Sequence, residues 1–150
     1  MAAIAVPGRA MPARVLLLSA TLLFLLDQSV KALALARLGD GRTVALGVMT
    51  LRVVLNRPAE ACAIRSRVGL AALWVTAAAA LGVLVQLGPF FQGAVAPVAL
   101  GAALGGAGSN LVDRLWRRGV VDLVDLRVWP VFNLADVAIV GGAVIGALHL

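Results

Sequence analysis

Residues 68–87 read VGLAALWVTAAAALGVLVQL, twenty positions without one charged side chain. Twenty helical residues at about 1.5 Å each reach about 30 Å, the depth of a bilayer's hydrocarbon core. A water-soluble domain has no means of hiding such a surface on every side. This stretch therefore predicts a membrane-spanning helix, and the composition agrees. The chain has 150 residues, of which 62% are hydrophobic and 13% charged. A soluble domain is about half apolar and about a quarter charged. The length suits one domain of a few helices.

Three more apolar stretches flank it. The expected spans are about 15–36, 68–87, 93–113 and 131–149. Gly88 and Pro89 end the second, and residues 1–14, with Arg9, Arg14, Pro7 and Pro12, read as a disordered lead. The first stretch has a rival reading as a cleaved leader, with Ala32, Ala34 and Ala36 as its small-residue site. Between the first two spans, Thr43 to Leu55 carries Val44, Leu46, Val48, Leu51, Val53 and Val54, an imperfect β alternation that meets the turn signal Asn56-Arg57-Pro58. Residues 115–130 form a second extramembrane loop that turns at Trp129-Pro130. The expected fold is a mainly α membrane protein, a four-transmembrane-helix bundle with a small β-rich extramembrane cap, as one domain over residues 1–150. Gly101, Gly105 and Ser109, and then Gly142 and Gly146, recur every four positions. That spacing lets helices approach closely within the bundle.

The formal net charge is +6, from 13 Lys and Arg against seven acids. The cations are scattered arginines beside apolar runs, with Lys31 the one lysine, which suits anionic headgroups rather than nucleic acid. One cysteine, Cys62, rules out an intrachain disulfide. One histidine, His149, argues against a Ser-His-Asp triad and against a zinc site. Carboxylate-pair chemistry requires no metal. Hydrolytic chemistry, if present, falls to carboxylates or to a Ser/Lys pair.

The seven acids are Asp27, Asp40, Glu60, Asp113, Asp122, Asp125 and Asp136. Asp40 and Glu60 read as solvated. Asp136 lies about one turn into the fourth span and shares a helix face with Asn133, where a purely structural role beside the helix dipole is the competing reading. Intramembrane acids are functional candidates by default. Asn110, Asp113 and Arg114 share a face at the end of the third span, either as site residues or as an anchoring salt bridge. Asp27 and Lys31 are four apart, the favourable order for an ion pair. If residues 120–128 are extended, Asp125 faces Arg127, whereas Asp122 faces Val124 and Leu126 without a cation. Burial without a cation raises a carboxyl's pKa, which favours Asp122 as the partner of Asp136. Two close carboxylates share one proton. The ionised one draws a proton from water, and the protonated one hydrogen-bonds the scissile carbonyl. Asn110 and Asn133 would orient the pair.

The ordered set Asp27-Gln28-x-x-Lys31, Asn110-x-x-Asp113-Arg114, Gly119-Val120-Val121-Asp122 and Phe132-Asn133-x-Ala135-Asp136 resembles the lipoprotein signal peptidase family, signal peptidase II, across essentially the whole chain. The resemblance implies a cofactor-free aspartyl endopeptidase with Asp122 and Asp136 as its catalytic dyad. It implies that Asp27, Lys31, Asn56, Asn110, Asp113, Arg114 and Asn133 support the site or contact substrate. Diacylglyceryl-modified prolipoproteins would be cut before the lipidated cysteine, at the outer face of the bacterial cytoplasmic membrane, with both termini in the cytoplasm. The expected partners are these substrates and membrane lipids, and the expected state is a monomer. Ser109 stands where the family has Gly, and Leu123 where an aromatic is usual. Arg57-Pro58-Ala59-Glu60-Ala61 follows Asn56 where the family carries Asn-x-Gly-Ala-Ala-Phe.

Two further expectations compete with these. A non-catalytic polytopic membrane protein would use its acids as an ion or proton path, which needs acids through the bilayer depth, or as packing polar groups of an interaction subunit, and an inactive paralogue would keep the fold alone. The arginines also favour the opposite orientation, because nearly all beyond Arg14 lie in the two loops, which the positive-inside rule assigns to the cytoplasm.

Overall fold

The computed structural model describes residues 10–57, 66–87 and 93–149. The expected readings of Glu60 and of the Gly88-Pro89 break lie outside them, as do Pro58 to Ala61. Helix α1 (Ala10–Leu38) is followed by strands β1 (Val44–Leu46) and β2 (Met49–Asn56). Helices α2 (Arg67–Leu87) and α3 (Val95–Trp116), strand β3 (Val120–Asp125) and helix α4 (Leu134–Leu148) complete the order. The expected disordered lead is corrected at its end: Ala10 to Arg14 form the first turns of α1, and residues 1–9 lie outside the described chain.

Among the described residues, three helices are long and apolar enough to cross a membrane: Met11–Leu38, Val68–Val85 and Val95–Trp116. The apolar helix α4 has 15 residues, shorter than the stretch that hydropathy marks, because Val131 to Asn133 approach it in extended form. Leucines such as Leu18 and Leu22 point outward from α1, where lipid would lie. The best-buried large side chains are instead mostly polar: Lys31, Asn133, Asp27, Asp113 and Ser109. An inside-out distribution of this kind is what lipid selects, since an ionisable group on the outer face of a span is costly.

The small-residue stripe explains how α1 and α3 meet. A side-chain carbon at Gly101 would lie 2.3 Å from the carbonyl oxygen of Leu16, and one at Gly105 would lie 2.1 Å from that of Ala20. Four residues on, Ser109 faces Asp27. The stripe thus sets backbone against backbone at one end and delivers a polar contact at the other. On the neighbouring flank, Gly142 of α4 meets the carbonyl of Ala99 in the same way. Helix α2 reaches α3 through Trp74, whose Nε1 donates to the Leu104 carbonyl at 3.2 Å.

The cap is a three-stranded antiparallel sheet in the order β1-β2-β3. The register sets Val54 opposite Asp122 and Asn56 opposite Val120, with an irregularity between Leu51 and Val54. Past β3 the chain folds back, and Val124 and Phe132 form an isolated bridge. That return carries Asn133 and α4 in beside Asp122.

Candidate active site

Lys31 lies at the centre of a closed polar cluster. Its Nζ is 2.7 Å from Asp27 Oδ2 and 2.8 Å from Asp113 Oδ2. The same nitrogen donates to Asn110 Oδ1 at 2.8 Å. An ammonium has three protons and here it meets three acceptors. The Asp27–Lys31 spacing does form an ion pair, but a wider one, because Asp113 shares the cation.

Asp27 joins three helices. Its Oδ2 also accepts from Ser109 Oγ of α3 at 2.5 Å, and its Oδ1 accepts from the backbone N–H of Ala135 at 2.9 Å. The second bond satisfies an N–H at the start of α4 that the helix itself leaves unpaired. Asp113 does the same for the cap: its Oδ2 accepts from the N–H of Val121, the residue before Asp122, at 3.2 Å. Arg117 and Gln28 both donate to Asp113 Oδ1, and Arg117 also donates to Gln28 Oε1 at 3.3 Å.

Asn133 is the N-cap of α4, extended at φ −126° and ψ 178°. Asp136 is therefore in the first turn, three residues on, rather than a turn deep with Asn133 on the same helical face. The pair forms a reciprocal capping box. Asn133 Oδ1 accepts from the N–H of Asp136 at 2.9 Å, and Asp136 Oδ2 accepts from the N–H of Asn133 at 3.1 Å. Asn133 Nδ2 then donates to Asp122 Oδ1 at 2.8 Å. Asn110 Nδ2 donates to Asp136 Oδ1 at 2.9 Å, and Asn56 Nδ2 reaches Asp122 Oδ2 at 3.2 Å. Asp122 thus receives two side-chain amide donors and Asp136 one, and Asn133 bonds to both acids, to Asp136 through its backbone N–H.

Asp122 is buried and Asp136 half-buried. Burial pushes the Asp122 carboxyl above its ordinary range; the Asn56 and Asn133 donors oppose this, and Asp136 adds a smaller push upward. The direction agrees with an acid that faces apolar neighbours. Asp125 moves the opposite way, held down first by the N–H of Arg127 and then by Arg52. Its expected ion pair with the Arg127 side chain is corrected. The partner is Arg52, at 2.7 Å, one cross-strand diagonal from the opposing Thr50. The strand stops at Asp125, and Arg127, at φ 63°, turns its guanidinium to Thr50. Asp40 is exposed beside Arg42, in keeping with its reading as a solvated acid.

All nine expected site residues lie in this region except that Arg114 stands apart from the bonded cluster. Among the described residues it forms no ion pair; instead it lines a groove of about 380 Å³ with Asn110, Asp136, Leu70 and Trp74. A second groove, about 340 Å³, reaches Asp136 from the other side along Leu126, Trp129, Phe132, Val137 and Val140. Among the described residues, no three His, Cys, Asp or Glu side chains gather as a metal ligand set. Sequence reasoning left Ser109, Gln28 and Arg117 out of the site. Arg117 carries a usable signal, since it stands four residues after Asp113.

Residues 19–150 match the family model described as signal peptidase (SPase) II. The chain belongs to the signal peptidase II family. Within this family, a lipoprotein signal peptidase of Mycobacterium avium is 41% identical over 143 residues, 88% of this chain and 76% of that protein. One of Mycolicibacterium smegmatis is 38% identical over 141 residues, 88% of this chain and 59% of the relative. One of Moorella thermoacetica is 60% identical over 48 residues, 32% of each chain. The chain thus spans about three-fifths of the M. smegmatis relative's length. Two solved structures, each described as a bacterial membrane enzyme, share the fold. Their TM-scores are 0.73 and 0.70 at 19% and 20% identity, covering 89% of this chain in both cases and 90% and 85% of theirs. This kinship does not favour the non-catalytic reading.

Proposed function

We propose that this protein is a membrane aspartyl endopeptidase that removes signal peptides from diacylglyceryl-modified prolipoproteins, cutting before the lipidated cysteine. The observation that carries the reading is the pair Asp122 and Asp136, both bonded to Asn133, with Asp136 lining two largely apolar grooves.

Asp122, whose burial favours the neutral form, hydrogen-bonds the scissile carbonyl. Asp136, at a helix N-terminus where backbone dipoles favour an anion, takes a proton from water as the water oxygen attacks. The tetrahedral oxyanion takes the proton of Asp122. Collapse breaks the C–N bond, returns that proton to Asp122 and passes the proton on Asp136 to the departing amine. Lys31, Asp27 and Asp113 fix the elements that carry the pair. Arg114, exposed to the groove beside Asp136, contacts substrate.

The two grooves support this substrate class. A lipidated precursor carries an apolar arm on each side of its cleaved bond: the signal helix before it and the diacylglyceryl group after it. Surrounding lipid and a monomeric state complete the reading. We place the site at the outer face of the cytoplasmic membrane, with both termini inside. Two cap-side arginines that favour the reverse are neutralised locally, Arg52 by Asp125 and Arg117 by Asp113.

The test is cleavage by the purified protein of a prolipoprotein with and without its diacylglyceryl group, read by mass spectrometry. The expected product begins at the modified cysteine and forms from the lipidated substrate alone. No cleavage of the lipidated substrate, or equal cleavage of both, would overturn the reading.

A further inference from the structure

The contact between Ser109 and Asp27 is the shortest hydrogen bond from a hydroxyl in the buried cluster, at 2.5 Å. Both residues are fully enclosed. The hydroxyl also accepts from Gln28 Nε2 at 2.8 Å, so its single proton is directed to Asp27. Asp27 divides its two oxygens. Oδ2 takes Ser109 and Lys31, while Oδ1 takes the N–H of Ala135. Asp136 is the next residue along α4.

Lys31 alone leaves Asp27 free to turn. The ammonium is shared with Asp113 and Asn110, and an ammonium imposes little direction on a carboxylate. Ser109 supplies the second bond on Oδ2 and so fixes the rotation of the carboxyl plane. We infer that Ser109 is a positioning residue: its hydroxyl aims Asp27 at the Ala135 N–H and thereby sets the height of the α4 N-terminus that holds Asp136. This rests on the peptidase reading for its kinetic consequence but not for its structural one. A glycine at residue 109 would leave the oxygen of Asp27 without this donor, so here the third helix supplies a bond that a bare backbone would not.

The test uses Ser109→Ala in the full-length protein in detergent, with two readouts. Amide hydrogen exchange at Ala135 should quicken about tenfold, the scale of one lost bond to a charged group, while exchange at Val140 stays as in wild type. The value of kcat on lipidated prolipoprotein should fall about tenfold with KM within about twofold, as expected when the reacting group and not the grooves is disturbed. Ser109→Thr, which keeps the hydroxyl, should restore slow exchange. If Ser109→Ala fails to fold, Ser109→Cys, a weaker donor of similar size, replaces it and should show the same direction. Unchanged exchange at Ala135 would overturn the inference, as would equal acceleration at Val140, which marks general loosening. If the wild type cleaves nothing, the peptidase reading fails while the exchange result still decides the role of Ser109.

Discussion

Asn133 donates to Asp122 Oδ1 at 2.8 Å while it caps the helix that carries Asp136. One side chain thus spends both its donor and its acceptor on the relation between two acids from different elements. Asn133→Ala removes both bonds. Loss of an N-cap costs about 1–2 kcal/mol. A displacement of about 1 Å at a reacting group costs about 10²-fold in rate. Thermal unfolding in detergent and cleavage assays should therefore show a modest fall in stability with a far larger fall in activity. Equal activity at reduced stability would contradict the role given to Asn133.

Lys31 is the cation on which the buried anions depend. Lys31→Met leaves Asp27 and Asp113 enclosed, with Arg117, among the described residues, the one remaining cation in contact with the cluster, on Asp113. Removing one partner of a buried ionic group costs about 3–5 kcal/mol. The expected outcome is a strongly lowered midpoint in a detergent melt or failure to accumulate. A midpoint like that of wild type would show that the cluster is not held by this charge.

The two acids of β3 should respond to pH in opposite senses. Asp122 has a raised folded pKa, so its contribution to stability is full below its unfolded value, about 3.9, and is lost as pH rises through the folded value. Asp125 is lowered, so its contribution is present above the unfolded value and is lost as pH falls through the folded one. Asp122→Asn should flatten the alkaline side of a stability–pH profile, and Asp125→Asn the acid side. Cleavage should also decline as pH rises through the folded value of Asp122, because the shared proton is then gone. Identical profiles for both variants would contradict these assignments.

The close crossing of α1 and α3 is the frame on which the cluster hangs. At Gly105 a side chain meets backbone, not a movable side chain. Gly105→Leu should force the helices apart, separate Ser109 from Asp27, and destabilise by about 1–3 kcal/mol or more. Melting and cleavage should fall together. A variant with wild-type activity would mean that the crossing is not needed to hold the site.

Much of this was legible in the sequence because it depends on local spacing. The uncharged stretch 68–87 reads as a span from composition alone, and Asp27 and Lys31 pair at a helical interval. The burial of Asp122 follows from its apolar neighbours on a strand. What stayed hidden depends on which elements meet. Arg52 reaches Asp125 only through the β2–β3 register, which parity along one strand cannot supply. Ser109 was visible as a departure from the family pattern, but its role depends on α1 lying across α3. The start of α4 was misplaced because Val131 and Phe132 are as apolar as the helix they precede. The capping pair Asn133 and Asp136 was the sharper signal, and it marks the turn into the helix.

The pairing of Asp122 with Asp136 as the reacting dyad is decided by Asp122→Asn and Asp136→Asn, each assayed on diacylglyceryl-modified prolipoprotein by the mass shift on signal-peptide release. Both variants should insert and fold, with a modest fall in melting midpoint because an amide NH2 replaces one accepting oxygen, yet lose about 10²–10⁴-fold in rate, the share of a proton-transferring side chain. Full activity in either variant would show that the altered acid is not one of the reacting pair.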